Sequence, residues 1–159
     1  MGLDKHRYIR WTKEENYHIT LVFLGDVEPV MLLRLKVLLE NKLELVNEFP
    51  FKITKISPFP FSSPRIIAGL LESSTELIEL QNVVKKIVKS FRINLEGKRY
   101  VPHVTLGRFK KRVPNFLDSQ LGNIFLVDVI ETVSIFESVL TKAGPIHSII
   151  DEIYDFLIV

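Results

Sequence analysis

The sequence predicts an α+β fold: two pseudo-duplicated lobes of mainly antiparallel sheet with outer helices, facing each other across a central cleft. Three observations lead there. Short runs rich in β-branched and aromatic residues follow one another without crossover helices from Phe51 to Leu71 and from Phe125 to Val159, which favours antiparallel pairing. Two stretches, Val30 to Val46 and Ser73 to Phe91, have the composition or periodicity of helices. A His-x-Thr-Leu run occurs twice, at His18 and 85 residues later at His103. The 159 residues suit one bilobal domain with a substantial core, 1–159.

Taken in order, Tyr8 to Trp11 is expected to be a short strand, followed by a first motif strand over Tyr17 to Leu24 that Gly25-Asp26 ends. A helix follows from about Val30, with Pro29 tolerated in its first turn. Phe51 to Ser57 alternates as a half-buried strand, Pro58, Pro60 and Pro64 stiffen a loop, and Arg65 to Leu71 is an apolar strand. Ser73 and Glu76 have capping-box spacing, opening a helix with Leu77, Leu80, Val84, Ile87 and Val88 on its buried stripe and Lys85, Lys86 and Lys89 outside. Gly97 to Tyr100 turns the chain into the second motif strand at His103. Pro114 starts a short helix to Gln120, Phe125 to Leu140 holds one or two strands, and Ile146 to Val159 is a final strand.

Composition excludes several functions. Hydrophobic residues make up 47% and charged residues 25%, a globular profile, and a net charge of +2 gives no global attraction to nucleic acid. The absence of cysteine excludes disulfides, thiolate nucleophiles and cysteine zinc sites. There is no P-loop or dinucleotide glycine pattern, and the two motifs contain no acidic residue for a metal pair; no cofactor and no metal are expected. The polar start and the lack of a long apolar run predict a cytoplasmic protein with no membrane partner.

The chemistry sits in the repeated motif. In a strand, residues two apart share a face, so His18 and Thr20 stand together, as do His103 and Thr105. Histidine titrates near neutrality, so one neutral and one protonated imidazole can act together as base and acid. In-line attack at phosphorus needs them on opposite sides, which two strands facing across a cleft would supply. The Thr20 and Thr105 hydroxyls suit the non-bridging phosphate oxygens. Arg108 could bind two such oxygens, but strict alternation puts it on the wrong face unless a bulge at Gly107 turns it inward. Of the nearby aromatics Phe23, Phe59, Phe61 and Tyr100, most belong to the core, Phe23 above all, and Tyr100 is the preferred base-stacking residue. Lys98, Arg99, Lys110, Lys111 and Arg112 suit either an RNA tail or a solvated face.

His18-Ile19-Thr20-Leu21 and His103-Val104-Thr105-Leu106 resemble the twin motif of the two-histidine (2H) phosphoesterases. Arg10-Trp11-Thr12, Phe23-Leu24-Gly25-Asp26-Val27, Pro58-Phe59-Pro60 before Ser63-Pro64-Arg65, Gly107-Arg108, and Ser138-Val139-Leu140 before Gly144-Pro145 resemble the RNA 2′,3′-cyclic phosphodiesterases, historically called 2′–5′ RNA ligases. The resemblance covers nearly the whole chain. It implies His18 and His103 as catalytic residues, an arginine at the Arg108 offset, and RNA ends or 2′,3′-cyclic nucleotides as partners. It also implies hydrolysis to 2′-phosphomonoesters, with 2′–5′ ligation as the reverse reaction. The alternatives are a 2H phosphodiesterase or exonuclease with another substrate, and a nucleotide- or RNA-binding module with weak turnover. Family members usually carry an opening strand and helix before the Trp11 segment that this chain lacks; the expected consequence is a sheet edge near Tyr8 to Trp11 open to self-association.

Overall fold

The computed structural model describes residues 8–44, 46–95, 97, 99–110, 122–141 and 144–155. The elements in chain order are β1 (Ile9–Trp11), a single 3₁₀ turn (Glu14–Asn16), α1 (Pro29–Leu43), β2 (Phe49–Phe59), β3 (Ile66–Leu71), α2 (Thr75–Ser90), β4 (His103–Phe109), β5 (Asn123–Ile130), β6 (Thr132–Thr141) and β7 (Gly144–Asp155). This is the predicted α+β class, two helices with a curled antiparallel sheet. The helix expected over Pro114 to Gln120 and the cations Lys98, Lys111 and Arg112 lie outside the described residues. Among the described residues no helix is long and apolar enough to cross a membrane.

The chain forms two compact units, each gathered from three separated stretches. Unit 1 comprises Met1–Thr20, Phe51–Ser73 and Lys98–Asp128; unit 2 comprises Leu21–Pro50, Ser74–Gly97 and Val129–Val159.

Unit 1 is built on a sheet of order β1-β4-β3-β2-β5, with β1/β4, β4/β3 and β3/β2 antiparallel. Directly opposed residues of an antiparallel pair share a face, so the register separates the two faces of this sheet. One carries Ile9, 2% exposed, and Ile67, 1% exposed, packed with Tyr8, Ile56, Leu106 and Phe109. The other carries Ile66, Ala68 and Leu70 of β3 opposite Arg108, Thr105 and His103 of β4. The apolar cluster fixes the sheet from behind, and the motif residues of β4 stand on the opposite face.

Unit 2 holds both helices and the β6–β7 hairpin, with α1 packed on α2 and on β7. Helix α1 buries Leu35, Leu39 and Leu43, one face at helical spacing, and begins with Pro29 in its first turn. Helix α2 buries the predicted stripe of Leu77, Leu80, Val84, Ile87 and Val88. Its cap is Ser74 and not Ser73: the Leu77 N–H donates to Ser74 Oγ at 3.1 Å.

The main departure from expectation is the first motif segment. In place of a strand over Tyr17 to Leu24 there is one antiparallel bridge, Ile19 with Val104. Both ends of that ladder are blocked. On one side the next partner but one of Val104 is Pro102, which has no N–H to offer Leu21. On the other, the Leu106 carbonyl already accepts from the Thr12 N–H at 2.9 Å, and the 3₁₀ turn carries residues 14–16 away from the sheet. Phe23, expected in the core, is therefore free of strand alternation and is 78% exposed. Gly25, with φ +70, takes the left-handed turn that leads towards α1.

Candidate active site

Every residue singled out for chemistry at the two motifs belongs to unit 1. The single bridge decides their arrangement. With Ile19 opposite Val104, antiparallel geometry sets His18 across from Thr105 and Thr20 across from His103. Ile19 and Val104 share one face, so the two histidines and two threonines share the other. The histidines are diagonal neighbours, a relation that separates Cα atoms by ~7–8 Å. The two motifs, expected on strands facing each other across a cleft, lie instead on adjacent antiparallel segments of one unit.

Each imidazole is held by the same device. Nδ1 of His18 lies 2.8 Å from the Asn16 carbonyl oxygen, and Nδ1 of His103 lies 2.8 Å from the Val101 carbonyl oxygen. A carbonyl only accepts, so Nδ1 carries the proton in both rings and donates it. In the neutral form this leaves the lone pair on Nε2, the base position; in the cationic form Nε2 is the acid. These two main-chain carbonyls are functional groups that sequence reasoning missed, because a backbone acceptor leaves no residue-type signature. The spacing of two residues before each histidine is the one signal that links them.

Arg108 reaches the face through the bulge expected at Gly107. Ile67 pairs with Gly107 and Ala68 with Thr105, so Leu106 is the extra residue, and Ile66 pairs with Arg108. Since Ile66 and Ala68 share a face, Arg108 and Thr105 do too. Gly107 is required by the neighbouring strand β1: a Cβ there would lie 2.7 Å from Ile9 Cγ2 and 3.1 Å from the Arg10 carbonyl oxygen. Arg108 is half-buried, and its pKa is lowered first by desolvation and then by the charge of Arg10.

Three aromatic positions bear on the face. The Phe59 ring lies 4.5 Å, centroid to centroid, from the His103 imidazole, tilted by 41°. Phe61 packs edge-on against Phe59 at 5.6 Å and is 64% exposed. Tyr100 is half-buried instead, and its hydroxyl is enclosed without a hydrogen-bond partner among the described residues. Burial pushes that phenol up to about 12. Of the four tyrosines, one is expected to ionise only near pH 12 in a spectrophotometric titration at 295 nm. The folded value exceeds the unfolded one near 10, so the linked stability is full below pH 10 and falls as pH rises from there towards 12. A titration in which all tyrosines ionise together near pH 10 overturns this placement.

Chemically, the face offers two oriented imidazoles, two hydroxyls and a partly desolvated guanidinium. Among the described residues no group of three or more His, Cys, Asp or Glu side chains is arranged to hold a metal ion.

Comparison with known proteins bears on the family and the fold. Residues 2–68 match the family described as LigT like Phosphoesterase. A protein of Archaeoglobus fulgidus named RNA 2′,3′-cyclic phosphodiesterase is 31% identical over 145 residues, covering 87% of this chain and 80% of the relative. A protein of Aquifex aeolicus with the same name is 29% identical over 155 residues, covering 91% and 81%. The fold is shared with the crystal structure of TT0787 of Thermus thermophilus, at TM-score 0.81 and 22% identity over 97% of this chain and 85% of that one. It is also shared with E. coli LigT complexed with 3′-AMP, at TM-score 0.70 and 18% identity over 90% and 79%. With the twin motif on one face of a curled antiparallel sheet and relatives at this level across most of its length, the chain belongs to the LigT-like phosphoesterases of the two-histidine superfamily.

Proposed function

We propose that this chain hydrolyses 2′,3′-cyclic phosphate ends of RNA or nucleotides to 2′-phosphomonoesters, without a metal, through His18 and His103. The observation that carries the reading is the tetrad His18, Thr20, His103 and Thr105 on one face, with both Nδ1 atoms tied to the carbonyl two residues back. The name shared by the relatives, RNA 2′,3′-cyclic phosphodiesterase, supports the substrate class. In the proposed step the neutral Nε2 of one histidine takes a proton from water as the water oxygen bonds to phosphorus. The bond from phosphorus to O3′ breaks, and the other imidazolium gives its Nε2 proton to O3′. Thr20, Thr105 and Arg108 hold the non-bridging oxygens as charge builds. Phe61, backed by Phe59 at His103, offers the ring for the terminal base in place of Tyr100, whose hydroxyl faces the interior.

The test is turnover of 2′,3′-cyclic AMP in excess EDTA across pH, with the product isomer identified by chromatography. The expected result is a 2′-phosphate, undiminished by chelation, with a bell-shaped profile because one imidazole must be neutral and the other charged. A strict divalent-metal requirement, or a 3′-phosphate product, overturns the reading.

A further inference from the structure

Arg10 is unaccounted for by the chemistry above. It stands directly opposite Arg108 in the β1–β4 register, which also pairs Ile9 with Phe109 and Trp11 with Gly107. Opposed residues share a face with Cβ atoms ~4.5–5.5 Å apart, so Arg10 lies on the histidine face while Ile9 and Trp11 lie behind it. Like charges directly opposed destabilise a sheet. Among the described residues neither guanidinium has a carboxylate partner. The charge of Arg10 is felt at Arg108, where it disfavours the cation.

The position of the pair along the sheet says what would relieve that repulsion. The segment from Ile9 to Thr20 meets the same edge of β4 at three places, the β1 ladder, the Thr12 N–H on Leu106 and the Ile19 bridge. Thr105 and Arg108 are separated by two rungs of the ladder because of the bulge, a distance of ~7 Å at ordinary strand rise. That is the order of the separation between neighbouring phosphates of a nucleotide chain. With Arg108 assigned to the reacting phosphate, an anion held at Arg10 beyond it would sit one nucleotide further along.

We infer that Arg10 is a specificity-determining residue: it binds the phosphodiester on the 5′ side of the reacting cyclic phosphate, which Arg108 helps to hold, so the site favours polynucleotide ends over cyclic mononucleotides that lack a 5′ phosphate. This rests on the reading of the tetrad as the cyclic-phosphate site. Guanidinium suits the task because it offers paired donors to phosphate oxygens.

The experiment compares adenosine 2′,3′-cyclic phosphate with the dinucleotide ApA ending in the same cyclic phosphate, in wild type, Arg10→Ala and Arg10→Lys. The ratio of kcat/KM, dinucleotide over mononucleotide, is expected to fall about tenfold in Arg10→Ala, as loss of one charge-assisted contact implies. Arg10→Lys should recover part of it. The salt dependence for the dinucleotide should flatten by about 0.7 in log–log slope, a change that a folding defect would not produce. An unchanged ratio overturns the inference, as does an equal loss on both substrates. If wild type turns over neither substrate, the reading of the tetrad fails, and the role of Arg10 is then judged by binding. Calorimetric Kd for ApA 2′-phosphate should rise about tenfold in Arg10→Ala relative to that for adenosine 2′-phosphate, and equal changes for the two ligands overturn it.

Discussion

Replacing either histidine with alanine, His18→Ala or His103→Ala, is expected to lower kcat by about 10²-fold or more, the lower end of acid–base catalysis. The Kd for a cyclic nucleotide should move far less, because Thr20, Thr105 and Arg108 remain to hold the phosphate. Near-wild-type turnover in either variant would remove the two-histidine mechanism. The tethers add a finer expectation. With Nδ1 donating to Asn16 or Val101, histidine-to-asparagine or histidine-to-glutamine changes should not restore activity, since neither amide can relay a proton. A substrate with an activated leaving group needs no acid, so the variant it rescues names the acid. Equal rescue of both would mean that no fixed acid exists.

The second large effect belongs to Gly107→Ala. The added methyl would meet Ile9 Cγ2 at 2.7 Å, the Arg10 carbonyl at 3.1 Å and the Trp11 ring at 3.2 Å. Two of the three are a buried side chain and backbone, so relief requires β1 to move. Overpacking of this kind costs about 1–3 kcal/mol, a drop of several degrees in Tm for a chain of this length. Activity should fall with it, because β1 carries Arg10 and the bulge carries Arg108. Unchanged Tm and kcat/KM in Gly107→Ala would show that the contact with β1 does not constrain the site.

The helix α2 and strands β2 and β4 were legible because each carries its own period, and β3 because it is a short unbroken apolar run. Leu77, Leu80, Val84, Ile87 and Val88 recur at helical spacing, and nothing distant alters that pattern. The bulge was legible too, because an arginine needed on the histidine face stood one residue out of phase beside a glycine. The first motif segment was not. Its β-rich composition is the same as that of β4, and the reason that it pairs at Ile19 alone lies in Pro102 and in Thr12 competing for Leu106. The pairing of Arg10 with Arg108 has the same character, since register between segments about a hundred residues apart leaves no local trace. Phe23 misled through alternation that the backbone never adopts.

The Ile19–Val104 bridge has a consequence for stereochemistry. It places a local two-fold axis through the sheet that exchanges His18 with His103 and Thr20 with Thr105. A phosphorus atom seated on that axis meets an equivalent histidine and threonine on either side, so the four motif residues alone do not distinguish the two ester oxygens. Which ester oxygen leaves is then decided by the groups that have no symmetry mate: Phe59 and Phe61 beside His103, and the guanidinium rung beyond Thr105. Regiochemistry is a property of the flanks, and exchanging those flanks, with the motifs untouched, is the route to the opposite isomer.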